Sequence, residues 1–181
     1  MVNYLINKGA KVYYENNDVS CPLQLACKIP LLKESGKEIA SLLVTHGANL
    51  EYRDRALRNT LFWVVYNNSR DLAYHIIQSG ARIQPWSWVE KEYLPQQIRQ
   101  DRLLTDLIDS SSSQPQKLVL ITICRIRYIL SRSVGGKSIL KRIEELPVGL
   151  EIKKILRLES ATSRRKEDIK KLHRLCSETQ V

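Results

Sequence analysis

The pattern Leu5-Ile6-Asn7-Lys8-Gly9-Ala10-Lys11-Val12 returns twice in this 181-residue chain. It recurs as Leu43-Val44-Thr45-His46-Gly47-Ala48-Asn49-Leu50 and as Ile76-Ile77-Gln78-Ser79-Gly80-Ala81-Arg82-Ile83. The second and third copies lie 33 residues apart. A fixed period of this length marks a repeat array, in which each unit buries its apolar face only against its neighbours. A second pattern keeps the same phase. Cys21-Pro22-Leu23-Gln24-Leu25-Ala26 begins twelve residues after Gly9, and Asn59-Thr60-Leu61-Phe62-Trp63-Val64 begins twelve after Gly47. Pro22 is expected to open a helix, with Leu23, Leu25 and Ala26 pointing into the stack. The second helix of each unit should end at its glycine, which supplies a left-handed turn.

These residues resemble the ankyrin repeat, whose Thr-Pro-Leu-His-Leu-Ala signature is approached by the residues from Cys21 to Ala26. The resemblance implies one complete repeat over about 17–50, a second over about 51–83, and the tail of a preceding one at 1–12. An array of this kind needs three or more units, so further repeats upstream of Met1, or a divergent cap, are expected. The first full repeat is five residues longer than the second, and the extra residues fall within 28–37, expected as a surface loop between its helices. After Gly80 the phase is lost. Residues 83–88 read as a linker whose Trp86 and Trp88 cap the last repeat. A single amphipathic helix over about 95–108 then carries Ile98, Leu103, Leu104, Leu107 and Ile108. The stretch 110–114 reads as a polar, mobile loop, with Pro115 near the entrance of the next helix.

The stretch 117–156 is different in kind. Leu118, Leu120, Ile121, Ile123, Cys124, Tyr128 and Ile129 fall at three- and four-residue spacings, which leaves too little polar surface for a helix with one wet side. Arg125, Arg127 and Arg132 are expected as a basic flank. Gly135 and Gly136 break the helix, a second begins near Ser138, and Pro147 is placed to open a third carrying Ile152, Ile155 and Leu156. Three short helices in so few residues cannot bury much, so they should lean on the rest of the chain and on something outside it. Buried in its own fold, the same pattern would be an ordinary helical hairpin, with Cys124 a small hydrophobe.

The order of these residues resembles the SOCS box, the adaptor module of cullin-type ubiquitin ligases. The family's Elongin-binding box runs leucine, a cysteine four positions on, arginine, and an apolar residue four beyond the cysteine. Leu120, Cys124, Arg125 and Tyr128 stand in those places, Tyr128 where an aliphatic residue is usual. The resemblance implies that Leu120 enters a pocket on Elongin C while Cys124 packs at the edge of that contact. The family's cullin-selecting half is matched by Leu146, Pro147, Val148, Ile152 and Ile155, with Gly149 in place of a proline and Ile155 in place of an aromatic. A cullin of the cullin-5 class is the implied partner.

The formal net charge of +10 and pI near 9.6 allow an acidic protein, nucleic acid or an anionic surface as partner, without defining a site. Cys21, Cys27, Cys124 and Cys176 form no Cys-x-x-Cys pair, and His46, His75 and His173 add no zinc spacing, so reduced cysteines in an intracellular protein, cytoplasmic or also nuclear, are expected. No leader is expected at the N-terminus, and no apolar run is long enough to span a membrane. Gly135-Gly136-Lys137-Ser138 lacks the earlier glycine and strand of a phosphate loop, and no Gly-x-Ser-x-Gly elbow occurs. The tail 159–181 is basic, read as a short fraying helix. The expectation is thus an all-α chain: an ankyrin-repeat solenoid over 1–84, a linker and bridging helix over 85–116, a three-helix SOCS-box-like module over 117–158 and the tail. Its expected role is to bind a target protein and recruit Elongin B/C and a cullin, with no cofactor and no enzymatic chemistry. The alternatives are an ankyrin scaffold without a ligase link and, behind it, a nucleic-acid or anionic-surface binder.

Overall fold

The three glycine-alanine copies fold into three copies of one turn. Gly9, Gly47 and Gly80 have φ of +92°, +102° and +98°. At each, the glycine N–H donates to the carbonyl three residues back and the alanine N–H to the carbonyl five back: Ile6 and Leu5, Val44 and Leu43, Ile77 and Ile76, at 2.9–3.1 Å. This pair of bonds satisfies the last carbonyls of a helix, and only a residue at ease with positive φ can close it.

The protein is described here by a computed structural model covering residues 1–13, 21–29, 33–82, 95–113 and 118–159. Helices α1 (Val2–Asn7), α2 (Pro22–Lys28), α3 (Lys33–Thr45), α4 (Thr60–Tyr66) and α5 (Arg70–Gln78) form the N-terminal part. Next come α6 (Gln96–Gln100) and α7 (Arg102–Ser113), then α8 (Leu118–Ser133), α9 (Leu140–Glu145) and α10 (Leu150–Leu156). No strand occurs among the described residues, so their architecture is all-α.

Two helix pairs stack. α2 packs on α3, α4 on α5, and the pairs meet through α2 with α4 and α3 with α5. Both first helices are capped by the residue at the same motif position: the Cys21 thiol accepts from the Gln24 N–H (3.4 Å), and Asn59 Oδ1 accepts from the Phe62 N–H (3.0 Å). Gln24 is buried, and its Nε2 donates to the carbonyls of Tyr52 (3.1 Å) and Arg58 (2.9 Å), fixing the 51–58 loop of the next unit to the preceding one. Leu23 and Ala26 enter the core as expected, but Leu25 does not: it is 40% exposed, because at helical spacing Gln24 and Cys27 share the inward side with Leu23.

Other expectations are corrected. Residues 33–37 of the longer repeat lie in α3, which is thereby 13 residues long against nine in α5, rather than in a loop. The bridging helix is two helices: at Asp101 the backbone turns extended (φ −83°, ψ 92°), and Asp101 Oδ1 accepts from the Leu104 N–H at 3.2 Å, starting α7 anew. Residues 110–113, read as a polar loop, belong to α7. The tryptophan cap at Trp86 and Trp88, Gln114, Pro115 and the basic tail from Ser160 lie outside the described residues.

Candidate functional site

The α8 side chains divide by position. Ile123, Arg127 and Ser131, spaced four apart, are buried, while Leu118, Val119 and Ile129 are exposed, Leu118 by 76%. The apolar helix, expected from its spacing to be covered all round, is covered along one stripe. The stripe faces the glycine turns. A Cβ on Gly80 would lie 2.5 Å from Cys124 Sγ, and one on Gly47 would lie 2.8 Å from Ile139 Cγ2. A Cβ on Gly136 would strike the Tyr13 carbonyl, and Gly136 O accepts from the N–H groups of Val12 (2.8 Å) and Tyr13 (3.2 Å). The row of turns that ends the repeated helices is thus the seat on which α8 and the start of α9 rest.

Arg127 ties this seat together. Its Nη1 donates to the Leu156 carbonyl and its Nη2 to the carbonyls of Val44 and Thr45, the latter at 3.2 Å. Those carbonyls end α10 and α3, where the helix dipole places negative partial charge. Burial lowers the Arg127 pKa to about 10, still charged at neutral pH. The basic flank expected of Arg125, Arg127 and Arg132 is therefore corrected: Arg125 and Arg132 are exposed beside the Tyr128 ring, but Arg127 is a buried strut. Its position four residues from both Ile123 and Ser131 was the available signal. Nearby, His46 Nδ1 pairs with Ser138 Oγ at 2.7 Å, and the His46 carbonyl accepts from the Ile139 N–H at 3.1 Å. Burial, and then the Arg127 charge, hold the His46 pKa below its ordinary value.

Cys124, Arg125 and Tyr128 border a cleft of about 320 Å³ between α8 and the turns at 47–51 and 79–82. Cys124 is half-buried, with its thiol 3.6 Å from the carbonyls of both Ser79 and Gly80. Burial, and then the nearby Glu51 carboxylate, raise its pKa. Glu51 Oε1 accepts from the Arg82 N–H at 2.7 Å, and burial raises the Glu51 pKa as well. Leu120 is half-buried beside the Gly80 turn, neither in the core nor open. Leu120 and Cys124 are thus brought together at one turn, on the inner edge of α8.

The second set of site residues lies at the far end. Pro147 does not open a helix. Val148 N–H bonds back to the Leu146 carbonyl at 2.8 Å in a tight turn, and α10 starts at Leu150 with Gly149 as its N-cap. Leu146, Val148 and Ile155 are half-buried, whereas Pro147 and Ile152 are exposed. Compared with family models, curated proteins and solved structures, the chain finds no significant match. Among the described residues no helix is long and apolar enough to cross a membrane.

Proposed function

We propose that the chain is a substrate-recruiting adaptor resembling the ankyrin-repeat and SOCS-box proteins. On this reading the stacked helix pairs hold a target protein, α8 docks on Elongin C of an Elongin B/C pair, and the 146–155 segment meets a cullin. The single observation that carries it is the outer side of α8 and α10. Leu118, Val119 and Ile129 are exposed on α8, whose other side is seated on the repeats, and Leu150 and Ile152 are exposed on α10, which packs on α8 and α9. Apolar side chains gathered on one exposed side mark an interaction surface. Leu120 is half-buried on the seated side, on the stripe of Ile123, Arg127 and Ser131 and beside the Gly80 turn, so on this reading docking draws it away from that turn. The chain performs no bond chemistry on this reading. It holds a target near a ubiquitin-charged partner, so transfer becomes effectively intramolecular.

The competing reading, a protein-interaction scaffold with no ligase link, is favoured by one contact: Cys124 already packs on its own Gly80 turn. Co-expression with Elongin B and C separates the two. The adaptor reading expects co-purification of all three chains, reduced at least about tenfold by Leu120→Asp with the circular dichroism spectrum unchanged. Leu146→Asp should spare Elongin capture and weaken cullin capture. A wild-type chain that purifies alone under these conditions removes the adaptor reading and leaves the scaffold.

A further inference from the structure

A second surface is built from two successive repeat units. Arg58, at the end of the 51–58 loop, holds its guanidinium 4.4 Å from the Trp63 ring centroid and 5.5 Å from that of Phe62. Lys28, in the last turn of α2, holds its Nζ 4.8 Å from the same Trp63 centroid. The two cationic heads therefore lie within about 9 Å of one another. Beside them Phe62 and Tyr66 stack, with centroids 5.8 Å apart and planes inclined by 14°, and Tyr66 is 66% exposed. The Trp63 indole N–H is buried and has no hydrogen-bond partner among the described residues.

The loop that delivers Arg58 is held in shape from within. Asp54 Oδ1 accepts from the N–H groups of Ala56 (2.9 Å) and Arg58 (3.0 Å), and Oδ2 from Arg58 Nε (3.0 Å). Leu57 N–H donates to the Asp54 carbonyl at 2.8 Å, and Leu57 takes φ +60° while its side chain stands 55% exposed. A leucine in left-handed backbone at an open tip is costly, so the loop is over-determined by its bonds. Both acidic groups of this loop are engaged inside the fold, Glu51 by the Arg82 N–H and Asp54 by the loop, where its ion pair to Arg58 Nε takes up part of that cation's charge and leaves Lys28 as the stronger draw for a carboxylate. Lys28 forms no ion pair among the described residues, and the aromatic face does not neutralise it.

We propose that Lys28, Arg58, Phe62, Trp63 and Tyr66, with Leu57 at the rim, form the docking site for an acidic peptide segment of the target protein. Carboxylates at i and i+2 of an extended segment stand roughly 6.6 Å apart, within the span of the two cations. An apolar side chain of the same segment lies against Tyr66. Charge complementarity selects this occupant, and the net charge of +10 steers it. A nucleic acid is disfavoured by the aromatic geometry: Trp63 is 8% exposed, which leaves no open run of rings for successive bases. The inference rests on the reading that the repeats carry the target surface, and it does not need the Elongin contact.

The test is fluorescence anisotropy with the full chain and a labelled peptide in which glutamates alternate with serine around a central phenylalanine. Its glutamine counterpart and a labelled single-stranded RNA of similar length serve as the other probes. The acidic peptide should bind at least about tenfold tighter than the glutamine peptide and weaken with salt. Lys28→Glu and Tyr66→Ser, both at exposed positions, should each lower its affinity by about tenfold without changing the circular dichroism spectrum. Equal binding of both peptides, no binding, or tighter binding of the RNA through the same two residues overturns the proposal. Elongin capture run in parallel separates the two failures. Capture without peptide binding removes the acidic site alone, and peptide binding without capture removes the ligase link alone.

Discussion

Arg127 is the residue on which the association of α8 with the rest of the chain turns. A buried guanidinium is tolerated because three carbonyls at two helix ends receive it. Arg127→Ala is expected to destabilise the protein by about 3 kcal/mol in urea unfolding, since charge-assisted bonds are lost and the carbonyls are left buried. Arg127→Lys should recover only part of this, because one ammonium cannot span both helix ends. His46 supplies a pH dependence. Its folded pKa lies below the unfolded value near 6.5, so the unfolded chain takes up the proton first. Its contribution to stability is complete above about pH 7 and falls as pH drops through about 6.5 toward the lower folded value. Thermal melting across that window should show the fall, and His46→Gln should flatten it.

Among the elements, the helix pairs were legible because local rules agree there: a capping residue, an apolar pair and a glycine stop recur in one phase. Gln24 was not read for its role, since a glutamine side chain names no partner until the next loop is placed beside it. Asp101 was readable in principle as an N-cap before Leu103 and Leu104, but the longer amphipathic pattern absorbed it. Its second role needed the fold: Oδ2 pairs with Arg70 Nη2 at 2.7 Å, and Oδ1 accepts from the Tyr74 hydroxyl at 3.3 Å. The start of α10 shows the reverse error. The sequence points to Pro147 as the start of a helix that Gly149 caps two residues later. Gly149 has φ −62°, and a Cβ there would meet nothing within 4 Å. Gly149→Pro is therefore expected to fit and to raise stability by about 0.5 kcal/mol, read as an upward shift of the urea midpoint at constant slope.

At the scale of the whole molecule, the C-terminal helices and the repeats share one interface through Cys124, Arg127, Gly136 and Ile139. The intact chain should therefore unfold in a single transition, with tryptophan fluorescence and far-ultraviolet circular dichroism coincident. All three tryptophans precede residue 89, so fluorescence reports the N-terminal part, and Arg127→Ala should separate the two curves. By itself the sequence determined the repeated helix pairs, their period and the glycine turns that stop them, because each depends on residues within a turn or two of one another. The tertiary structure decided which side of α8 is occupied and that Arg127 is a strut rather than a flank. It also showed that the glycines of the repeated turns do a second task. A side chain's direction depends on what the distant chain brings to it, and the spacing of apolar residues along α8 is nearly the same on its seated and open sides.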